Sequence, residues 1–223
     1  TAAEVVKKEN KRVAKLIGIN TAARTTCVKP AGTTSLVLGT SSGIHAWHND
    51  HYIRRIRVGK NEAIYDYLHI NHKDLIEDEY FRPHDTAVIG VPQKAPSGAI
   101  YRTESALHLL NRVKHITNEW VHNGHSKGAN RHNVSATISI REHEWYDVGE
   151  WMWENTNSFN GLSVLPYDGG SYKQSPFEDC SKETYEALVS TLKNVDLTLV
   201  TEKVDDTDHS NELACAGGAC EIS

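Results

Sequence analysis

Apolar and polar positions alternate along this chain at two periods, and the two periods predict most of its elements. At the helical period, residues 4–16 put Val6, Val13, Leu16 and Ile17 on one stripe with charges elsewhere, and Gly18 marks the stop. Residues 104–121 form the clearest helical pattern, with Leu107, Leu110, Val113, Ile116 and Trp120 in step and Asn123-Gly124 as its end. Residues 62–70 also read as helix. So do residues 142–154, where Trp145, Val148 and Met152 keep helical spacing and Trp151 and Trp153 lie alongside. Ser181 is a suitable N-cap for a helix over 182–193 that would bury Tyr185, Leu188 and Leu192. Short β-prone or alternating runs predict strands at 25–28, 52–58, 85–91 (stopped by Pro92), 133–140 and 161–166. About five strands interleaved with helices argue for an α/β architecture without internal repeats.

Beyond Val200 the pattern disappears. Residues 202–212 carry almost nothing to bury, which predicts a mobile linker. The whole chain has 223 residues and a net charge of −5, so it lacks the basic footprint of a nucleic-acid partner. No apolar run reaches membrane-spanning length and the start has no signal-peptide layout, so the expected location is cytoplasmic, with no membrane partner. Thr1 leads straight into a helix, which suggests a piece of a longer protein. The cysteines, Cys27, Cys180, Cys215 and Cys220, are too few and too unevenly placed for a disulfide scaffold. A reduced cytosolic protein with one special pair fits them better.

Chemistry concentrates first in Cys27-Val28-Lys29-Pro30-Ala31-Gly32-Thr33-Thr34-Ser35-Leu36-Val37-Leu38-Gly39. This reads as a short strand, a Pro/Gly turn and the first turn of an apolar helix. The first helical turn leaves N–H groups without internal partners and carries partial positive charge. Gly32 allows close approach to the backbone, Thr33, Thr34 and Ser35 add hydroxyls, and Lys29 adds charge. Together they outline a phosphate cradle. An ordinary capped helix start fits the same residues, since this is not the Walker pattern.

The second concentration is Cys215-Ala216-Gly217-Gly218-Ala219-Cys220. A small, glycine-containing spacer lets the two thiols come within disulfide reach, about 7 Å between Cα atoms. Zinc would require two further ligands, and only His209 is near. An inert tail is the plain alternative. A disulfide-forming pair on a mobile arm can carry reducing equivalents by thiol–disulfide exchange into a site that an external dithiol protein cannot enter.

Residues 29–36, continued by Gly39-Thr40-Ser41-Ser42-Gly43-Ile44-His45, resemble the substrate-phosphate loop of ribonucleotide reductases. The tail pair is similar to the shuttle cysteines of the same family. Three features look like the adenosylcobalamin-dependent, monomeric-type class II branch. They are the Lys-Pro-x-Gly-Thr form of the loop, the stretch Asp50 to Val58 with His51-Tyr52-Ile53-Arg54-Arg55-Ile56-Arg57 at its heart, and Leu162-Ser163-Val164-Leu165-Pro166-Tyr167-Asp168 with Tyr172-Lys173-Gln174-Ser175-Pro176-Phe177-Glu178.

The resemblance implies the second part of a ten-stranded α/β barrel over residues 1–200, with a mobile redox tail over 201–223. It implies that Ala31, Gly32, Thr33, Thr34 and Ser35 anchor the phosphates of a ribonucleotide. It also implies that Cys215 and Cys220 re-reduce active-site cysteines and are themselves reduced by thioredoxin or glutaredoxin. Adenosylcobalamin, held mainly by parts outside this segment, would start the reaction through a thiyl radical on an upstream cysteine. The radical cysteine, its partner cysteines and the carboxylate base would all belong to that upstream part, so the segment alone would not reduce a nucleotide.

Other readings stay open. Class I, iron-dependent reductases have a similar tail but carry a Tyr-Tyr pair that is absent here. A phosphate-binding module without catalysis and a stand-alone thiol-redox protein are the readings from other classes. His45, His48 and His51 recur every third residue; solvent exposure or hydrogen bonding suits them better than metal ligation. His122, His125 and His132, with Lys127 and Arg131, lie in a polar loop that could contact a phosphate but reads better as a solvated connection. Of Arg54, Arg55 and Arg57, at least one faces inward and needs a partner. Cys27 reads as a buried strand residue and Cys180 as structural.

Overall fold

The computed structural model describes residues 1–167, 172–192 and 194–202. In chain order its helices are α1 (Ala2–Ile17), α2 (Gly32–Leu38), α3 (Ala63–Asn71), α4 (Ala106–Ile116), α5 (Trp145–Glu154) and α6 (Lys182–Thr191). Its strands are β1 (His51–Gly59), β2 (Ile76–Asp78), β3 (Thr86–Lys94), β4 (Thr137–Ile140), β5 (Ser163–Pro166) and β6 (Phe177–Asp179). The architecture is mixed α/β, and the chain divides into two units.

The first unit comprises Thr1–Trp47 and Ile100–Tyr167. Its core gathers Leu110 and Val113 of α4, Ile138 and Ile140 of β4, Val134, and Val148 of α5, all 2% exposed or less. β4 pairs in parallel with β5. α1 starts two residues ahead of the expected helix, because Thr1 and Glu4 close a capping box, and it stops at Gly18 with φ 75°. Its inward face is made by Ala3 and Ala14, whereas Leu16 and Ile17 of the expected stripe are exposed. α4 begins behind Ser105, whose hydroxyl caps His108, and its last turn widens into a π-helical turn over Thr117–Val121.

The strand expected at 25–28 does not form. The segment is tied instead at single points, by bridges Arg24↔His125 and Val28↔Val134. Thr25 and Thr26 spend their hydroxyls on the Gly124 and Trp120 carbonyls, at 2.9 and 2.7 Å. These bonds replace a ladder and leave Cys27 exposed, contrary to the buried position expected for it.

The second unit comprises His48–Ala99 and the described residues beyond 168. It is built on an antiparallel sheet in the order β2-β3-β1-β6. β3 runs through Pro92 rather than stopping there. Pro92 pairs with Ile53 on one side, while β2 covers only residues 87–89 on the other, so the missing N–H lies where the sheet has an open edge. Arg54 is the inward-facing arginine: it is 5% exposed, its guanidinium lies 4.5 Å over the Phe177 ring, and it reaches the Pro176 carbonyl. α6 is capped by Ser181 as expected. It buries no residue fully: Tyr185 and Leu188 are half-buried and Leu192 is 37% exposed. No helix among the described residues is long and apolar enough to cross a membrane.

Candidate functional site

The turn that leads into α2 lies in the first unit. Its first i→i−4 bond runs from the Ser35 N–H to the Ala31 carbonyl at 3.3 Å. The N–H groups of Gly32, Thr33 and Thr34 therefore lie ahead of the helical ladder, where no partner four residues back exists within the helix. Gly32 and Thr34 are exposed, and a Cβ on Gly32 would meet nothing within 4 Å. An anion can approach the Gly32 and Thr34 donors directly. Ala31 and Ser35 are placed differently. The Ala31 N–H donates to Ser42 Oγ at 3.1 Å, and the buried Ser35 hydroxyl turns back to the Ala31 and Gly32 carbonyls. Both stitch the turn together, while Lys29 stands exposed beside it.

A loop over residues 39–45 supports the turn from behind. Gly43, at φ 60°, packs so close that a Cβ would sit 3.3 Å from the Lys29 carbonyl and the Pro30 Cα. His45 binds the Ser42 carbonyl through Nδ1 at 2.8 Å and receives the Thr137 N–H at Nε2 at 3.0 Å. Burial holds its pKa below the usual value; Arg112 acts in the same direction, while the Ser42 bond and Glu104 oppose it. Arg112 grips the Ile44 carbonyl at 3.0 Å and pairs with both Glu104 oxygens at 3.0 and 2.6 Å.

The remaining sequence candidates are engaged in local bonds. His48 pairs with Asp179 and His51 with Asp50, each at 3.0 Å. His122 bonds to Arg131, His125 reaches the Gly128 carbonyl and His132 reaches the Thr26 carbonyl. Among the described residues no group of three or more His, Cys, Asp or Glu could hold a metal ion. Cys180 is partly buried, and burial with Asp179 and Glu178 pushes its thiol pKa up, which disfavours the reactive thiolate. Cys215 and Cys220 lie outside the described residues. Sequence reasoning missed Arg112, Glu104 and Thr137.

Comparison with known proteins gives this geometry a context. No family model matches the chain. An adenosylcobalamin-dependent ribonucleoside-triphosphate reductase of Lactobacillus gasseri is 29% identical over 213 residues, covering 92% of this chain and 27% of that protein. The enzyme of the same name from Lactobacillus leichmannii is 28% identical over 227 residues, covering 98% and 29%, and that of Euglena gracilis is 26% identical over 215 residues. A crystal structure of a B12-dependent (class II) ribonucleotide reductase superposes with a TM-score of 0.66 at 26% identity, over 85% of this chain and 26% of that one. The chain is thus similar, over nearly its whole length, to adenosylcobalamin-dependent (class II) ribonucleotide reductases. It spans between a quarter and a third of the length of these reductases, and the mixed α/β fold described above is similar to theirs over the shared part. The resemblance seen in the motifs thus extends over nearly the whole chain.

Proposed function

We propose that this chain is the C-terminal part of a ribonucleotide reductase that converts ribonucleotides to deoxyribonucleotides by thiyl-radical chemistry, with adenosylcobalamin as cofactor. The observation that carries the proposal is the coincidence of two independent features at one place. Near-complete alignment with class II reductases includes a turn whose leading N–H groups, on Gly32 and Thr34, stand open to an anion. In this reading the turn over residues 31–35 holds the substrate phosphates, and the chain completes an α/β barrel with the upstream part of the enzyme.

The cofactor supplies the initiating radical when bound. No residue of this chain is assigned to it. The tail pair, Cys215 and Cys220, serves the return half of the cycle. Its two thiols become a disulfide as an active-site disulfide becomes two thiols, and a thioredoxin- or glutaredoxin-type dithiol reverses the exchange.

The experiment is an assay of the complete enzyme for ribonucleotide reduction with thioredoxin, with adenosylcobalamin added or withheld and no second subunit. Activity that requires the cofactor and is lost with thioredoxin in Cys215→Ser or Cys220→Ser, but retained with a small dithiol that bypasses the tail, is the expected result. Activity only when a radical-generating subunit is supplied would move the protein to class I.

A further inference from the structure

The turn over residues 31–35 has little packing of its own. α2 is short, and its Val37 and Leu38 are 82% and 69% exposed. Its position has to be set from elsewhere. A continuous path of hydrogen bonds leads from the core to it: the Thr137 N–H on β4 to His45 Nε2, His45 Nδ1 to the Ser42 carbonyl, and Ser42 Oγ to the Ala31 N–H. The His45 N–H adds a second bond to the Ser42 carbonyl at 3.1 Å. β4 is a firm origin for this path, because its Ile138 and Ile140 are at most 1% exposed.

We propose that His45 is the positioning residue of the phosphate turn, transmitting the fixed register of β4 through Ser42 to Ala31. The inference rests on the phosphate-binding reading of that turn. The geometry dictates the state of the imidazole. A backbone N–H can donate only to an unprotonated nitrogen, so Nε2 is the acceptor, and Nδ1 carries the proton that the Ser42 carbonyl receives. A second proton on the ring would place two N–H groups face to face at Thr137 and break the path at its origin. The charged groups that face His45 are Arg112 of α4 and Glu104 just ahead of that helix; β4 contributes only the Thr137 amide. Arg112 also holds the Ile44 carbonyl, so the loop is pinned on both sides of the histidine-bearing turn.

The test uses the complete enzyme as wild type, His45→Ala and His45→Gln. Two readouts are taken: amide hydrogen exchange over residues 29–36, and the split between KM and kcat for a ribonucleoside triphosphate. Loss of the path in His45→Ala should speed exchange over 29–36 and raise KM by about tenfold, as expected for losing one or two hydrogen bonds, while kcat changes by about twofold or less. In His45→Gln the side-chain oxygen can still accept from Thr137, so part of the protection and part of the KM effect should return. Wild type should also lose protection over 29–36 as the pH falls from above 6.5, the ordinary histidine value, through the depressed pKa of His45, beyond the intrinsic pH effect, and His45→Gln should not.

Unchanged exchange over 29–36 in His45→Ala, or the same acid-induced loss in His45→Gln, would overturn the proposal even if nucleotide binding is intact. Faster exchange in His45→Ala, together with no ribonucleotide affinity in wild type, would support the positioning role and instead remove the phosphate reading.

Discussion

The two units are held together by different physics. In the first, the loop behind the turn over residues 31–35 is fixed by partly buried directional bonds, neutral from Thr137 to His45 and from His45 to Ser42 and charge-assisted from Arg112 to the Ile44 carbonyl, set against an apolar core. In the second, the antiparallel sheet is laced on its polar side by charge. Arg55 pairs with Glu77 and Glu178, Arg57 with Glu79, and Lys60 with Asp78. Buried neutral bonds are directional and little screened by salt, so they can place a backbone N–H to within a fraction of an ångström. Ion pairs with an exposed carboxylate, Arg55–Glu178 and Lys60–Asp78, are screened and loosely oriented, so they favour pairing of strands without fixing a site. The turn over residues 31–35, proposed above as the phosphate site, belongs to the unit in which position is set by directional bonds.

The comparison can be broken most forcefully at the core. Leu110→Ala, at a fully buried position, should destabilise the first unit by about 2–5 kcal/mol in denaturant unfolding. A loss below about 1 kcal/mol would mean the apolar core is not what holds that unit. Gly124→Ala comes next. Its Cβ would lie 1.8 Å from Thr26 Oγ1 and 2.6 Å from Thr26 Cγ2, and Thr26 is anchored to the Trp120 carbonyl, so a cost of about 1–3 kcal/mol is expected.

Acid should separate the units. The His45 pKa is depressed, so its contribution is full above about 6.5 and is lost as pH falls through its folded value. Glu79 in the second unit is also depressed. Burial works against that, but the Arg82 and Phe81 N–H groups, each 2.7 Å from its carboxylate, and Arg57 outweigh it. Its contribution is therefore full above about 4.5 and is lost below that. Acid titration followed by hydrogen exchange should loosen the first unit's loop before the second unit's Glu79 turn; the reverse order would contradict this assignment. The smallest effect is expected from Arg55→Gln, about 1 kcal/mol or less and vanishing in 1 M salt, checked by unfolding at two ionic strengths.

Much of this was legible from periodicity. α4, α5, β1 and the Ser181 cap lie close to where their side-chain patterns predict them, because each buries one stripe or face or caps a helix by a local bond. β2 and β6 were not legible, since three-residue strands such as Ile76-Glu77-Asp78 and Phe177-Glu178-Asp179 are too short to show alternation. The segment at 25–28 misled for the opposite reason. Its β-branched threonines favour an extended backbone, but their hydroxyls satisfy carbonyls of a neighbouring turn and no ladder is needed. At the candidate site the Pro-Ala-Gly-Thr-Thr signature marked the turn. The support from Thr137 and Arg112 could not be read, because it depends on which residues 92 and 68 positions away in sequence arrive beside the loop.

The most direct measurement is residue-resolved amide hydrogen exchange on the complete enzyme, with and without a ribonucleoside triphosphate. Saturable protection of the Gly32, Thr33 and Thr34 amides, scaling with nucleotide occupancy, is the predicted result. Nucleotide binding that protects other segments and leaves these three amides exchanging as before would contradict the assignment of this turn as the phosphate site.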